Sequence, residues 1–274
     1  VDDTYHALYD ICKELLSKNI ILVIFGGSND LIYPIFKSFD SQINKINIVS
    51  IDNQFDLYQE SDLISGRTYM NKIIVDDSNK LNDFTNIGYQ RNLCSNDEIK
   101  LMEKLFFEYI SLGEISENNM KAEPIMRNAN IVGFDTKSLN SQGSPNGIDP
   151  RLSCILAKYA GQSNKANFFG LFELNNNAIS NKLYSEIIWY FLDGVDKRIT
   201  ESDFNDSQTF NKYIVQTSGR DITFYKSKIS EKWWMLINPS NNSNISYLPC
   251  LESDYQNALN NNIPLSWIKA IKRV

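Results

Sequence analysis

Short apolar runs alternate with helical segments over the first two thirds of the chain, and this alternation limits the possible folds more than any other feature. The run at 20–25 (IILVIF) is continuously apolar, which predicts a fully buried parallel strand. Further strands are predicted at 46–51, 72–75, 86–89, 130–134 and 168–172. Helices are predicted at 5–19, 29–38, 96–112, 149–161 and 178–197. The pattern indicates an α/β fold built from right-handed βαβ units around a mostly parallel sheet.

The pattern changes after residue 200, where aromatic and β-branched runs follow one another closely. The runs at 213–218, 222–226 and 232–237 predict an antiparallel meander, followed by a loop at 238–244 and helices at 252–262 and 264–272. We therefore predict an α/β domain at 1–200, and at 201–274 a small β appendage with C-terminal helices packed on the same domain. Adjacent Trp233 and Trp234 face opposite sides of a strand. One can therefore lie in the core while the other is exposed, and packing against the sheet or a neighbouring protomer is preferred over carbohydrate or peptide binding.

Composition removes several classes of protein. The 274 residues carry a net charge of −6, and no cluster of Lys or Arg interrupts that acidity, so we expect no nucleic-acid partner. The longest apolar run is too short to span a bilayer, and we expect no membrane insertion. These features favour a cytoplasmic protein, and what precedes Val1 bears on that expectation.

The cysteine and histidine content limits the chemistry. The four cysteines contain no C-x-x-C pair and are predicted to be buried thiols rather than a disulfide framework. His6 is the only histidine, which excludes Ser-His-Asp and Cys-His catalysis and zinc sites with several histidines. Catalysis would therefore depend on carboxylates, Lys, Tyr, Ser or Cys.

Polar side chains follow four of the predicted strands, where sites form in a parallel sheet. These segments are GGSND (26–30), DNQFD (52–56), DTK (135–137) and ELN (173–175). Clustered carboxylates need a metal ion, a basic partner or raised pKa values. The Gly26-Gly27 pair could hold a phosphate, but the G-x-G-x-x-G spacing is absent, so a tight turn capped by Ser28 or Asn29 is the alternative.

The strand-end segments resemble the ureohydrolase family, which includes arginase, agmatinase and formimidoylglutamase. The matching segments are FGGSND (25–30), SIDNQFD (50–56), GFDTK (133–137) and FGLFELN (169–175), in the family's order over about residues 5–200. The segments at 144–150, 158–163, 187–194 and 232–235 are similar to the bacterial formimidoylglutamase-like branch. The resemblance implies a three-layer arginase-like fold with a mostly parallel central sheet.

The departures from the family pattern concern its metal site. The family holds two Mn²⁺ ions with two His and four Asp, and the matching positions here are Asn29, Asp52, Gln54, Asp56, Asp135 and Lys137. Amides thus stand for both imidazoles and an ammonium for one carboxylate, so we expect no metal cofactor. We hypothesise that Lys137 occupies the vacated cation site and pairs with Asp52, Asp56 or Asp135. The alternatives are that Lys137 points to solvent, or that one ion remains on the three aspartates with help from Asp30.

Two further positions follow from the resemblance. Glu173 matches the Glu that contacts the guanidinium-like end of the substrate, so it is a candidate for binding a cationic group. Tyr69 is the positional match for the general acid that some members supply as His. The chain also begins inside the helix that follows the family's first strand, so we expect either that this strand is absent from the sequence or that a separate fragment supplies it. A sheet without it would expose an apolar edge and favour a protein partner or a homo-oligomer.

We interpret the chain as a ureohydrolase-fold pseudoenzyme, a non-catalytic binding or assembly component. The enzyme alternative is a formimidoylglutamase- or arginase-type amidine hydrolase that uses Mn²⁺ in an altered site. A third alternative is a nucleotide or phosphate binder that uses Gly26 and Gly27.

Overall fold

The structure, a computed structural model, describes residues 2–39, 45–58, 64–77, 80–140, 146–201, 203–217, 219–238 and 245–273. The chain divides into two compact units, Val1–Arg198 and Ile199–Val274. No helix in these ranges is both long and apolar enough to cross a membrane.

The first unit is built on a six-stranded sheet. Its strands are β1 (Leu22–Phe25), β2 (Ile46–Ile51), β3 (Leu81–Tyr89), β4 (Glu108–Ser111), β5 (Ile131–Asp135) and β6 (Phe168–Phe172). They lie in the order β1-β6-β5-β2-β3-β4, and all paired neighbours are parallel. The predicted α/β fold with a mostly parallel sheet is confirmed.

Helices cover both faces of this sheet and make three layers. They are α1 (Asp2–Ser17), α2 (Ile32–Ser38), α3 (Tyr69–Asp77), α4 (Asn96–Lys104), α5 (Leu112–Glu117), α6 (Ala122–Asn128), α7 (Pro150–Gly161) and α8 (Ala178–Asp196). Successive strand residues alternate between the faces: Ile48 packs in the core with α1 to α4, and Val49 packs in the core with α5 to α8. Both cores are continuous and apolar, which holds the strand ends in fixed positions.

Two predicted elements of the first unit are wrong. The run at 72–75 lies in α3 and is not a strand, because its buried residues Met70 and Ile73 follow helical spacing while Val75 is exposed. The helix predicted at 96–112 ends at Lys104. Phe106 has a φ of 56°, which ends helical geometry, and β4 follows it.

The prediction that the run at 20–25 is fully buried is also wrong. β1 is an edge strand that pairs with β6 alone among the described strands. Its Val23 and Phe25 side chains are 37% and 52% exposed. The continuous apolar run therefore predicted the strand correctly but not its burial, because the strand lies at the edge of the sheet.

The second unit contains an antiparallel sheet with two helices. Its elements are β7 (Phe210–Gln216), β8 (Asp221–Ser227), β9 (Trp233–Ile237), β10 (Ser246–Cys250), α9 (Glu252–Leu259) and α10 (Leu265–Arg273). The predicted meander forms in the order β10-β9-β8-β7, with β10 as an additional strand. All but the first residue of the loop predicted at 238–244 lies outside the described residues.

Both tryptophans of β9 are buried, whereas one was expected to be exposed. Trp233 and Trp234 face opposite sides of the strand, as predicted, but each side has an apolar cluster of its own. Trp233 packs against Tyr255, with ring centroids 4.8 Å apart, and Trp234 packs against Phe210 at 5.6 Å. Packing accounts for both rings.

Candidate functional site

One cavity of about 430 Å³ lies at the carboxyl ends of the first unit's strands. Seven of the side chains singled out in the sequence line it: Asn29, Asp52, Gln54, Asp56, Asp135, Lys137 and Glu173. They converge because β1, β6, β5 and β2 are neighbours in the sheet and each contributes the residues that follow its carboxyl end. Residues far apart in the sequence are thus brought to one site by sheet topology.

Tight turns after β1 and β6 place Asn29 and Glu173 in the lining of the cavity. Gly27 has a φ of 77°, and a Cβ there would lie 2.3 Å from the end of the Leu31 side chain, so another residue would strain the backbone and displace Leu31. The Gly27 carbonyl accepts a hydrogen bond from the Glu173 backbone N–H at 2.9 Å. This bond joins the two turns and fixes where Glu173 enters the site.

The same geometry does not favour phosphate at the Gly26-Gly27 turn. The turn leads into a three-residue 3₁₀ helix, Asn29–Leu31, rather than a long helix with free N–H groups. The Asn29 backbone N–H points at Glu173 Oε1, 3.4 Å away. A carboxylate already occupies the direction from which a phosphate would approach.

Asp135 uses both carboxylate oxygens within the protein. Its Oδ2 accepts a hydrogen bond from Asn29 Nδ2 at 2.8 Å, and its Oδ1 accepts one from the Lys137 backbone N–H at 2.7 Å. Burial raises the pKa of Asp135 to about 6, while these two hydrogen bonds act in the opposite direction. Asp135 is therefore held in place by Asn29 and by the Lys137 backbone, which take one acceptor position on each of its oxygens.

Asp52 and Asp56 are different, because each keeps an unsatisfied oxygen. Their side chains are 2% and 6% exposed, and neither Oδ2 atom accepts a hydrogen bond from an N–H or hydroxyl donor of the described residues, although the two carboxyl groups lie within hydrogen-bonding distance of each other when one is protonated. The Gln54 backbone N–H donates to Asp52 Oδ1 at 3.3 Å. Burial, followed by the nearby carboxylates, raises both pKa values well above the usual range for aspartate. The environment of the cavity floor thus favours the protonated, uncharged form of these two carboxyl groups, and Arg67 acts in the opposite direction on Asp56.

Lys137 does not make the ion pair with Asp52, Asp56 or Asp135 that we expected. Its ammonium pairs with Glu173, and its side chain is 65% exposed. Both Asp135 oxygens are already occupied, and a partly exposed carboxylate lets the ammonium keep much of its hydration. The hydrogen bond to Glu173 raises the pKa of Lys137. The geometry lies between the two alternatives for Lys137, since it is neither on the cavity floor nor free in solvent.

The sequence did not single out Ser65, Gly66 and Arg67, which also line the cavity. Arg67 Nη2 donates a hydrogen bond to Gln54 Oε1 at 2.6 Å. A Cβ on Gly66 would lie 3.0 Å from Glu173 Oε1, so the segment passes close to that carboxylate. These residues precede α3 and do not directly follow any strand that the structure describes, and the only signal was their place beside Tyr69 in the segment SGRTYMNK.

Tyr69 and Asp30 do not join the cavity lining. Tyr69 is fully buried in α3, and burial followed by the charge of Asp56 raises its pKa well above the usual range for tyrosine. A phenol in that position is poorly suited to proton transfer with a ligand. Asp30 accepts hydrogen bonds from the hydroxyls of Tyr5 and Ser28, so its carboxylate is used elsewhere.

Comparisons with known proteins agree with this fold. Similar solved structures include a Trypanosoma cruzi formiminoglutamase with Mn²⁺, at 16% identity and a TM-score of 0.66, covering 73% of both chains. A Bacillus subtilis formimidoylglutamase has 14% identity and a TM-score of 0.65, covering 73% of this chain and 69% of that one. An agmatine ureohydrolase of Thermoplasma volcanium has 14% identity and a TM-score of 0.60, covering 72% of this chain and 69% of that one.

Sequence comparison adds one positive result. No curated protein matches significantly. A sequence profile of the arginase family, however, matches residues 1–138, which is half of the 274 residues. The chain therefore belongs to the arginase family.

Proposed function

We propose that this chain is a non-catalytic member of the arginase family that lacks a dinuclear manganese centre and acts as a binding component. The observation that carries the proposal is the state of Asp135, whose two carboxylate oxygens accept hydrogen bonds from Asn29 and from the Lys137 backbone. A dinuclear centre needs bridging and terminal ligands in number. Here Asp52 and Asp56 alone among the three aspartates keep an unpartnered oxygen.

The chemistry of the remaining donors supports the same conclusion. Manganese prefers carboxylate and imidazole ligands, and an amide oxygen is a weaker donor. Asn29 directs its amide N–H at Asp135, and the Gln54 amide oxygen accepts from Arg67. The Lys137 ammonium adds positive charge at the same site and repels a divalent ion. The donor set therefore does not fit two manganese ions.

Metal content tests this proposal directly. Purified protein is incubated with Mn²⁺, freed of excess ion and analysed for bound manganese, and formimidoylglutamate, agmatine and arginine are assayed in parallel. We expect less than one manganese per chain and no manganese-dependent hydrolysis. Two manganese ions per chain with turnover of any of these substrates would overturn the proposal.

A gain-of-binding variant checks the assignment of the positions. Asn29→His, Gln54→His and Lys137→Asp together are expected to create measurable Mn²⁺ affinity, because they add two imidazoles and one carboxylate to the aspartates. The matched control makes the same three types of change at exposed positions: Asn176→His, Gln256→His and Lys100→Asp. Equal affinity in the two triple variants would show that the motif positions are misassigned.

The second candidate function is an amidine hydrolase with a single metal ion. The unpartnered Oδ2 atoms of Asp52 and Asp56 favour it, because a buried carboxylate without a partner is suited to a cation. One manganese per chain, together with manganese-dependent release of formamide, ammonia or urea, would support this candidate over the non-catalytic one.

A further inference from the structure

The sequence contains a single Asn-Gly pair, Asn146-Gly147. In this dipeptide an asparagine side chain reacts readily with the backbone nitrogen that follows it, because glycine has no Cβ to obstruct the approach. The pair lies between β5 and α7, in a turn where Asn146 is exposed. Solvent therefore reaches Asn146 and can supply the water that such a reaction consumes.

The packing around position 147 requires glycine. A Cβ on Gly147 would lie 2.4 Å from both the Ser138 carbonyl oxygen and the Asn140 backbone nitrogen. Both are backbone atoms, which cannot move aside as the end of a side chain can. The glycine that makes the pair reactive is therefore fixed by the fold.

The groups that would react are not engaged elsewhere in the part of the chain that the structure describes. No described residue accepts a hydrogen bond from the Gly147 N–H, and none forms one with the Asn146 side chain. Asn146 is held through its main chain instead, because its carbonyl accepts a hydrogen bond from Gln90 Nε2 at 3.1 Å. The Asn146 amide can therefore rotate towards the Gly147 nitrogen without breaking a bond.

The residues that follow the pair are held tightly. The Ile148 N–H donates to the Ser138 carbonyl at 2.8 Å, and the Asn140 N–H donates to the Ile148 carbonyl at 3.1 Å. The Ile148 side chain is 1% exposed and packs in the core with α5 to α8. Asp149 caps α7 by accepting a hydrogen bond from the Leu152 N–H at 2.9 Å. A change in main-chain length just before Ile148 would disturb all of these contacts.

We propose that Asn146 is a site of spontaneous deamidation, which changes the main chain of the native protein as it ages. The Gly147 nitrogen attacks Cγ of Asn146 and gives up its proton. An N–Cγ bond forms, the Cγ–Nδ2 bond breaks, and the side-chain nitrogen leaves as ammonia. Water then opens the cyclic imide at either carbonyl, which yields aspartate or isoaspartate. In isoaspartate the main chain runs through Cβ and Cγ and is therefore longer.

The modification also affects the wall of the cavity at the strand ends. Ser138, which accepts the Ile148 bond, is the last residue of the 3₁₀ helix Thr136–Ser138. That helix contains Lys137, whose backbone N–H holds Asp135. Deamidation thus acts on the cavity without altering any residue that lines it, whether or not the cavity holds a metal ion.

Peptide mapping of the folded protein after prolonged incubation in mildly alkaline buffer tests the site. We expect Asn146 to lose ammonia at least about tenfold faster than Asn205, an exposed turn residue that precedes Asp206. An isoaspartyl methyltransferase with labelled methyl donor should label the incubated wild type but not Asn146→Gln, which keeps an amide of similar polarity. Equal rates at Asn146 and Asn205, or equal labelling of the two proteins, would overturn the inference.

A second comparison separates the change in main-chain length from the change in charge. Anion exchange isolates the deamidated protein, and the methyltransferase measures its isoaspartate fraction. The matched control is Asn146→Asp, which carries the same added charge on an ordinary main chain. The isoaspartate form should unfold at a lower urea concentration than Asn146→Asp, which should unfold close to the wild type. Equal unfolding midpoints for the isoaspartate form and Asn146→Asp would overturn the inference that deamidation alters the native fold.

Discussion

At the residue scale, the three aspartates of the cavity differ in how the protein satisfies their carboxylate oxygens. Asp135 is held by two internal hydrogen bonds, whereas Asp52 and Asp56 each keep an unpartnered oxygen. The seven cavity residues could be predicted because they follow strands. The partner of Lys137 could not, because it depends on which carboxylate keeps enough solvent around it. Arg67 could not be predicted either, since it follows no strand.

The first prediction concerns the stability of the native protein as a function of pH. Burial raises the pKa of Asp52, so the folded protein holds a proton that the unfolded chain releases as pH rises above about 4. The stability that this bound proton gives the folded protein at low pH is therefore lost as pH rises. Asp52→Asn removes this loss, and its advantage over the wild type in free energy of unfolding should grow between pH 4.5 and 7.5, reaching about 1–3 kcal/mol.

Urea unfolding at several pH values, with a chelator present, measures this difference. Asp10→Asn is the matched control, since Asp10 is exposed on α1 and its replacement should give no comparable pH-dependent gain. A difference that shrinks as pH rises would show that Asp52 is stabilised as a carboxylate, contrary to the raised pKa.

At the scale of elements, the apolar pattern predicted the existence of a helix or strand more reliably than its type, its bounds or its place in the sheet. The runs at 46–51, 130–134 and 168–172 became strands because each is buried on both faces of the sheet. The run at 72–75 (KIIV) lies in α3, and its three apolar residues cannot distinguish a strand from the buried side of a helix. β4 was missed because Glu108 and Tyr109 continue the helical pattern of α4.

The second prediction concerns the start of α4. The Ser95 hydroxyl accepts a hydrogen bond from the Glu98 backbone N–H, and the Glu98 side chain accepts one from the Ser95 backbone N–H. Ser95→Ala removes half of this capping box and should lower the free energy of unfolding by about 1 kcal/mol. Ser116→Ala, at an exposed position within α5, is the control and should change stability by less. Equal losses in the two variants would show that the cap contributes nothing.

At the scale of the whole molecule, the chain buries its reactive groups in several separate cores. The first unit has one core on each face of its sheet, and the second unit has two smaller apolar clusters. All four cysteines are free and buried, as the sequence predicted. Cys12 and Cys94 lie in the core beside α1 to α4, Cys154 lies in the core on the opposite face, and Cys250 lies in the second unit.

The third prediction uses these thiols as probes of global folding. Burial raises the pKa of Cys12 to about 11 and that of Cys94 to about 12, so little thiolate forms at pH 8. The native protein should react with a disulfide reagent at least about a hundredfold more slowly than free cysteine, and urea should expose four thiols per chain. Ser116→Cys, on exposed α5, is the reactive control. A native thiol that reacts as fast as this control would contradict the burial described above.

The unpaired side of β1 has a consequence for the behaviour of the protein in concentrated solution. Within the part of the chain that the structure describes, no strand pairs with this side, so its N–H and C=O groups, beside exposed Val23 and Phe25, can template intermolecular β-pairing, and colloidal stability should depend on protein concentration. Val23→Lys should suppress light scattering and thioflavin fluorescence at high concentration, while Val75→Lys, on exposed α3, should not. Equal suppression by both variants would assign the effect to net charge. If only Val23→Lys suppresses them, pairing at the edge strand β1 limits the concentration at which this protein stays dispersed.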